Sequence, residues 1–148
     1  MRLLQGRPRL RGVSDDEQRG RNGAAFARSL AALSNSDLEG HLVGCTDDFV
    51  LELPYADPPV SVMGKEAVRA YLTPALATFS MRLELTQIIS CFDPNCLIAE
   101  YTSEGRVTTT GKPYANSYIA VVRFRNDLIC AQREYYNPVP AFRALTND

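Results

Sequence analysis

Apolar and polar positions alternate at strand spacing over Tyr114–Arg125 and Leu128–Asn137, and recur at helical spacing over Ala24–Ser34 and Glu66–Phe79. In the first helical stretch Phe26, Leu30 and Leu33 follow the i, i+4, i+7 rule with alanines between them, and Ser34-Asn35 ends it. Ser36 or Asp37 then caps a short helix over Leu38–Gly44. Phe49–Pro54 reads as a strand with Leu51 and Leu53 inward and Glu52 outward. Tyr55–Met63, containing Pro58-Pro59, reads as a loop over the mouth of whatever the sheet encloses. The helix over Glu66–Phe79 carries Val68, Leu72, Ala75, Leu76 and Phe79 as its apolar stripe, and Pro74 is expected to kink or divide it. From Arg82 the chain is sheet: Arg82–Phe92, Leu97 to about Thr110, then the two strands named first, with a short closing helix over Ala141–Leu145. Gly105 marks a bulge or bend, and Asn126-Asp127 supplies the last turn. The order of helices, one strand, a helix and an antiparallel meander predicts an α+β domain whose curled sheet closes over the helices.

Met1–Gly23 breaks this pattern, with Arg2, Arg7, Arg9, Arg11, Arg19 and Arg21 and almost no large apolar residue after Leu10. It reads as a flexible Arg-rich arm over residues 1–23, leaving 24–148 as a single domain. A chain of 148 residues with 45% hydrophobic and 22% charged positions is long enough for one well-buried core. Its net charge of −1 provides no bulk field for nucleic acid or an anionic membrane. No apolar run approaches transmembrane length, and Met1–Gly20 lacks a signal-peptide core, so a cytoplasmic address is the default expectation. Cys45, Cys91, Cys96 and Cys130 lack metal-site spacing, so no metal is expected; Cys91 and Cys96 flank a hairpin turn and are expected as free thiols. The single histidine, His41, reads as a surface residue of the short helix. With no Gly-rich phosphate loop or ligand cluster, no cofactor is expected.

The candidate chemistry lies on the last strand. Period two puts Cys130, Gln132, Glu134 and Tyr136 on one face and Ile129, Ala131, Arg133 and Tyr135 on the other. If the first face lines a cavity, Glu134 is a candidate acid or base; if it faces water, Glu134 is a solvated strand residue.

Ser36-Asp37-Leu38, Thr46-Asp47-Asp48 and Gly64-Lys65-Glu66-Ala67-Val68, in this order of elements, resemble the SnoaL-like proteins of the nuclear transport factor 2-like superfamily. The resemblance runs from about Ala24 to Leu145 and implies a cone-shaped, curved, mostly antiparallel sheet wrapped around N-terminal helices. Three catalytic patterns of the superfamily can be laid on the chain. The ketosteroid-isomerase carboxylate, tyrosine and protonated Asp fall on Leu53, Ser29 and Ala120, so that route is rejected. The limonene-epoxide-hydrolase pattern puts its second acid at Glu134, but its Arg-x-Asp falls on Tyr101-Thr102-Ser103, leaving Glu100 or Glu104 to substitute after a one-residue register shift. The phenazine-biosynthesis A/B pattern matches Asp93-Pro94-Asn95, Tyr114, Asn116, Arg133-Glu134-Tyr135 and Asn137-Pro138. It makes Glu134 the acid/base, with Tyr71 in place of the family's helix histidine.

The resemblance implies that Glu134 lies in an apolar pocket with Tyr55, Tyr71, Tyr101, Asn116, Tyr118 and Gln132 as substrate-binding neighbours. The expected function is a cofactor-independent isomerase or cyclase acting on a small, partly apolar organic substrate. The alternatives are a non-catalytic binding or assembly module, or an epoxide hydrolase or dehydratase variant. A homodimer through the outer sheet face is expected, with Ile119, Val121, Ile129 and Ala131 as its apolar set.

Overall fold

The computed structural model describes residues 12–147. Its elements are α1 (Asp15–Ser34), α2 (Leu38–Leu42), β1 (Cys45–Leu53), β2 (Val60–Met63), α3 (Lys65–Thr78), β3 (Phe79–Ser90), β4 (Cys96–Val107), β5 (Pro113–Arg125), β6 (Leu128–Tyr136) and α4 (Pro138–Leu145). The strands form one six-stranded sheet in the order β2-β1-β6-β5-β4-β3, antiparallel except where β6 lies parallel to β1. The α+β class and the curved sheet over N-terminal helices are as expected. That parallel pairing brings the chain's last strand beside its first, with Leu51 opposite Gln132.

Helix α1 begins well before Ala24. Ser14 caps it by accepting from the Glu17 amide, and Asp15, Asp16 and Glu17 oppose the positive end of its dipole. Its buried side is Asn22, Phe26, Ser29 and Leu30, a helical spacing whose first member is polar. Residues 12–23 of the expected arm therefore contribute mostly to a helix, and residues 1–11 lie outside the described residues. Asp37 caps α2.

Helix α3 passes through Pro74 undivided. Pro74 and Ala70 are both exposed, so the carbonyl that loses its amide partner faces water. The expected loop after β1 contains the edge strand β2. Asn126 and Asp127 both take positive φ, 52° and 65°, the pattern of a tight hairpin turn matching strand twist.

Two register irregularities differ from expectation. Gly105 is no bulge: it pairs in regular register with Met81, and a Cβ there would lie 2.0 Å from the Ser80 carbonyl oxygen. The β3–β4 shift falls between Leu85 and Gln87 instead. In β6 the register with β5 shifts at Cys130, between the pairs Phe124–Ile129 and Arg123–Ala131. This extra residue reverses the alternation, so Ile129 is fully buried in the core on the side of Gln132. Ile129 therefore cannot belong to the outer apolar set, which retains Ile119, Val121 and Ala131, and Cys130 turns its thiol to the Arg123 carbonyl.

The main core joins Phe26, Leu30 and Leu42 from the helices to Phe49, Leu51, Ala99, Ala120, Val122 and Ile129 of the sheet. A second cluster, Val107, Tyr114 and Ala144, seats α4 against the far end of β4 and β5. Asn137 caps α4, Pro138 stands in its first turn, and Thr110 Oγ1 donates to the Ala144 carbonyl at 2.5 Å.

Candidate active site

The inner face of the sheet and the helices line a partly open cavity of about 170 Å³. The helices give it Leu30, Leu33, Leu72, Ala75 and Leu76, and the strands give Leu51, Leu53, Met81 and Leu83. Into these apolar walls project Glu134 from β6, Tyr101 from β4, Tyr118 from β5, Tyr71 from α3 and His41 from α2. Glu134 has Ala120 as its cross-strand neighbour, and Ala120 pairs in turn with Ala99. Two small residues in that row leave room for the carboxylate and for the ring of Tyr101 in the next row.

Tyr101 is buried and its hydroxyl donates to Glu134 Oε2. Burial raises the Glu134 pKa from 4.5 to about 7, with the Tyr101 hydrogen bond pulling weakly the other way. Burial, with the Glu134 charge adding to it, holds the Tyr101 phenol protonated well above its ordinary range. The Tyr101 and Tyr118 rings stack 5.0 Å apart at 11°. Tyr118 Oη lies 2.8 Å from Ser103 Oγ and 3.0 Å from Tyr114 Oη, and Asn116 Nδ2 donates to Tyr114 Oη at 2.9 Å. A hydrogen-bonded polar chain thus runs from Asn116 through Tyr114 and Tyr118 of β5 to Ser103 of β4 beside the cavity.

Of the expected site residues, Glu134, Tyr71, Tyr101, Tyr118 and Gln132 line this cavity. Tyr55 does not. Strand β1 ends at Leu53, a turn closed by the Ala56 amide follows, and Tyr55 swings to the outer face, 57% exposed and edge-on to Tyr135 at 5.3 Å. Asn116 is on the inner side but beyond the cavity, where it ties Tyr114 to the Asn137 carbonyl. Glu100 and Glu104 alternate with the buried Tyr101 and Ser103 and lie away from the cavity, so among the described residues no second acid joins Glu134 and the epoxide-hydrolase pair is not assembled.

Three polar lining residues stand outside the expected set of substrate-binding neighbours: His41, Tyr114 and Tyr136. His41 is 3% exposed, against the expectation of a surface residue, and its Nδ1 contacts the buried Ser29 hydroxyl. Burial lowers its pKa to about 4. Tyr136 shares the Glu134 face by period two, and that spacing was the signal available for it. A larger hollow of about 630 Å³ lies against Tyr55, Ile119 and Tyr135 and is open to solvent, but it excludes Glu134 and His41. Among the described residues no group of His, Cys, Asp or Glu is arranged to hold a metal ion, and no helix is long and apolar enough to cross a membrane.

Helices packed into a curved sheet around an acid-bearing cavity give the fold of nuclear transport factor 2-like proteins. The chain belongs to the SnoaL-like family, whose domain model matches residues 26–132. It is 31% identical over 122 residues to an uncharacterised PhzA/B-like protein of Pseudomonas aeruginosa, covering 81% of this chain and 86% of that one. A solved structure of a candidate isomerase from Bacillus subtilis superposes with a TM-score of 0.81 at 26% identity, covering 86% of this chain and 94% of the other. A candidate polyketide cyclase of Xanthomonas campestris pv. campestris shares the fold at a TM-score of 0.74 and 19% identity, covering 87% and 99%.

Proposed function

We propose that the protein is a cofactor-independent isomerase or cyclase that moves a proton on a small, partly apolar carbonyl compound held in the Glu134 cavity. The observation that carries this reading is the Glu134 carboxyl enclosed by apolar walls and hydrogen-bonded by Tyr101. A carboxyl group with a pKa of about 7 is present as both acid and base near neutrality, so one residue takes a proton from carbon and returns it elsewhere. Tyr101 holds the carboxylate in place and stays protonated throughout. Leucines and tyrosines around it favour a flat or cyclic apolar body. The Bacillus subtilis candidate isomerase supports the same class of chemistry.

The test is a screen of β,γ-unsaturated cyclic ketones and cyclisable β-polyketones, followed by Glu134→Gln on whichever substrate turns over. General acid/base catalysis contributes roughly 10²–10⁴-fold, so kcat is expected to fall by about that factor with KM little changed. Undiminished kcat in Glu134→Gln would remove Glu134 from the reaction. Binding without turnover across the screen would instead favour a ligand-binding role for the same cavity.

A further inference from the structure

We infer that His41 is a second catalytic residue, a neutral hydrogen-bond donor whose Nε2–H polarises the carbonyl oxygen of the substrate that Glu134 deprotonates. The inference rests on the reading of the cavity as an acid/base site and adds to it the electrophile that such chemistry requires.

The tautomer follows from the partner of Nδ1. Ser29 Oγ meets Nδ1, and among the described residues it makes no other side-chain hydrogen bond. Ser29 is 4% exposed, so water does not offer its hydroxyl hydrogen an alternative acceptor. If Nδ1 carried the proton, that hydroxyl hydrogen would be buried without a partner. The satisfied arrangement has Ser29 donating to a bare Nδ1, which leaves the ring proton on Nε2. Nε2 has no partner among the described residues, yet it is not a sealed, unsatisfied atom. On a ring so little exposed that lines the cavity, it opens into the cavity.

The ring is also held in place and uncharged. Phe49 packs edge-on against it, with centroids 6.2 Å apart at 78°, and the His41 carbonyl accepts from the Gly44 amide and the Cys45 thiol. The titratable groups lining the cavity with it are Glu134 and the phenols of Tyr71, Tyr101, Tyr114, Tyr118 and Tyr136. Burial keeps the imidazole neutral throughout the range in which Glu134 titrates. A neutral donor of this kind stabilises developing charge on oxygen and is too weak an acid to give its proton to Glu134. Ser29 does not line the cavity, so it is a positioning residue and not a nucleophile.

The step balances without a further reactant. The Glu134 carboxylate takes the proton from the carbon next to the carbonyl. The C–H electron pair becomes the new C=C bond, and the carbonyl π pair moves onto oxygen, where His41 Nε2–H meets it. Glu134 then returns the same proton to another carbon of the conjugated system and the carbonyl reforms. The substrate class is therefore an enolisable ketone with a second carbon able to receive the proton.

His41 is the chain's only histidine, so its ring nitrogens are unambiguous in a ¹⁵N-labelled, tag-free protein. Long-range ¹⁵N–¹H correlation at pH 7 is expected to show a neutral ring protonated at Nε2, with mixed tautomers in Ser29→Ala. Saturation with cyclohex-2-enone is expected to move the Nε2–H resonance downfield. A proton on Nδ1, an imidazolium, or an Nε2–H that the enone leaves unmoved overturns the inference. On a substrate found by screening, loss of one such donor is expected to lower kcat about 10²–10³-fold in His41→Leu, with partial recovery in His41→Gln. Equal losses in the two variants would mark a structural role. The tautomer is read without turnover, so failure of the acid/base reading in Glu134→Gln and failure of the His41 inference are separate results.

Discussion

Burial shifts the pKa values of Glu134 and His41 in opposite directions, and the two tilt stability with pH in opposite senses. Glu134 rises from 4.5 to about 7 on folding. Below pH 4.5 it is protonated folded or unfolded; as pH climbs toward 7 only the unfolded chain ionises, so stability is lost by roughly 1.4 kcal/mol per pH unit, roughly 3 kcal/mol in all. His41 falls from 6.5 to about 4. Its contribution is complete above pH 6.5 and is lost as pH drops toward 4, because only the unfolded chain then gains the proton, a loss of similar size. Between about pH 4.5 and 6.5 the two slopes oppose each other, and each single variant is expected to expose the other's. Glu134→Gln should gain stability with rising pH across that window, and His41→Gln should lose it. Urea unfolding midpoints at half-unit intervals measure both slopes, and identical profiles in the two variants would contradict the burial of either group.

At the scale of elements, strands with unbroken alternation could be read directly from the sequence, and single-residue irregularities could not. The hairpin of β5 and β6 and its Asn126-Asp127 turn lie where the apolar pattern and turn chemistry put them. The bulge at Cys130 leaves no compositional mark, because a thiol fits either face, so Ile129 was assigned to the wrong side while Gln132, Glu134 and Tyr136 beyond it stayed together. Gly105 carried a signal of backbone demand whose cause was close approach of β3 and not a bulge. A Cβ there meets backbone, 2.0 Å from the Ser80 oxygen and 2.6 Å from the Met81 Cα, so the strands must part to admit it. Gly105→Ala is expected to destabilise by about 3 kcal/mol, toward the upper end of overpacking effects. Gly20, in α1 with open space around it, is the control: Gly20→Ala should stabilise by about 0.5–1 kcal/mol through helix propensity. Denaturant unfolding of both variants is the check, and equal stability at the two positions would refute the close approach.

For the whole molecule, the N-terminal half of α1 works as a clasp, and its polar character explains why it resembled an arm. Asn22, 1% exposed, donates to the Pro94 carbonyl at 2.9 Å and to Asn95 Oδ1 at 3.2 Å in the β3–β4 turn. Arg19 reaches the carbonyls of Cys91 and Phe92 in the same turn, while Gln18 and Arg21 hold Asp127 of the β5–β6 turn. Hydrophobic spacing cannot reveal such a face, since its contacts are hydrogen bonds to residues more than seventy positions away. His41 was hidden for a related reason: its partner Ser29 lies on another helix, and a serine among alanines carries no signal of burial. The clasp joins two hairpin ends at the side of the sheet away from α4, so it serves the cone's integrity and not the cavity's chemistry. Asn22→Ala removes two hydrogen bonds from a buried side chain to the β3–β4 turn, and at about 1 kcal/mol each their loss costs about 2 kcal/mol. The melting temperature is then expected to fall by roughly 4–8 °C, at about 2–4 °C per kcal/mol for a chain of this size. A chain begun at Ala24, which lacks Gln18, Arg19, Arg21 and Asn22 together, should lose more than Asn22→Ala alone. Thermal unfolding of the three proteins side by side decides the matter, and a shortened chain melting with the full one would return residues 12–23 to the status of a dispensable arm.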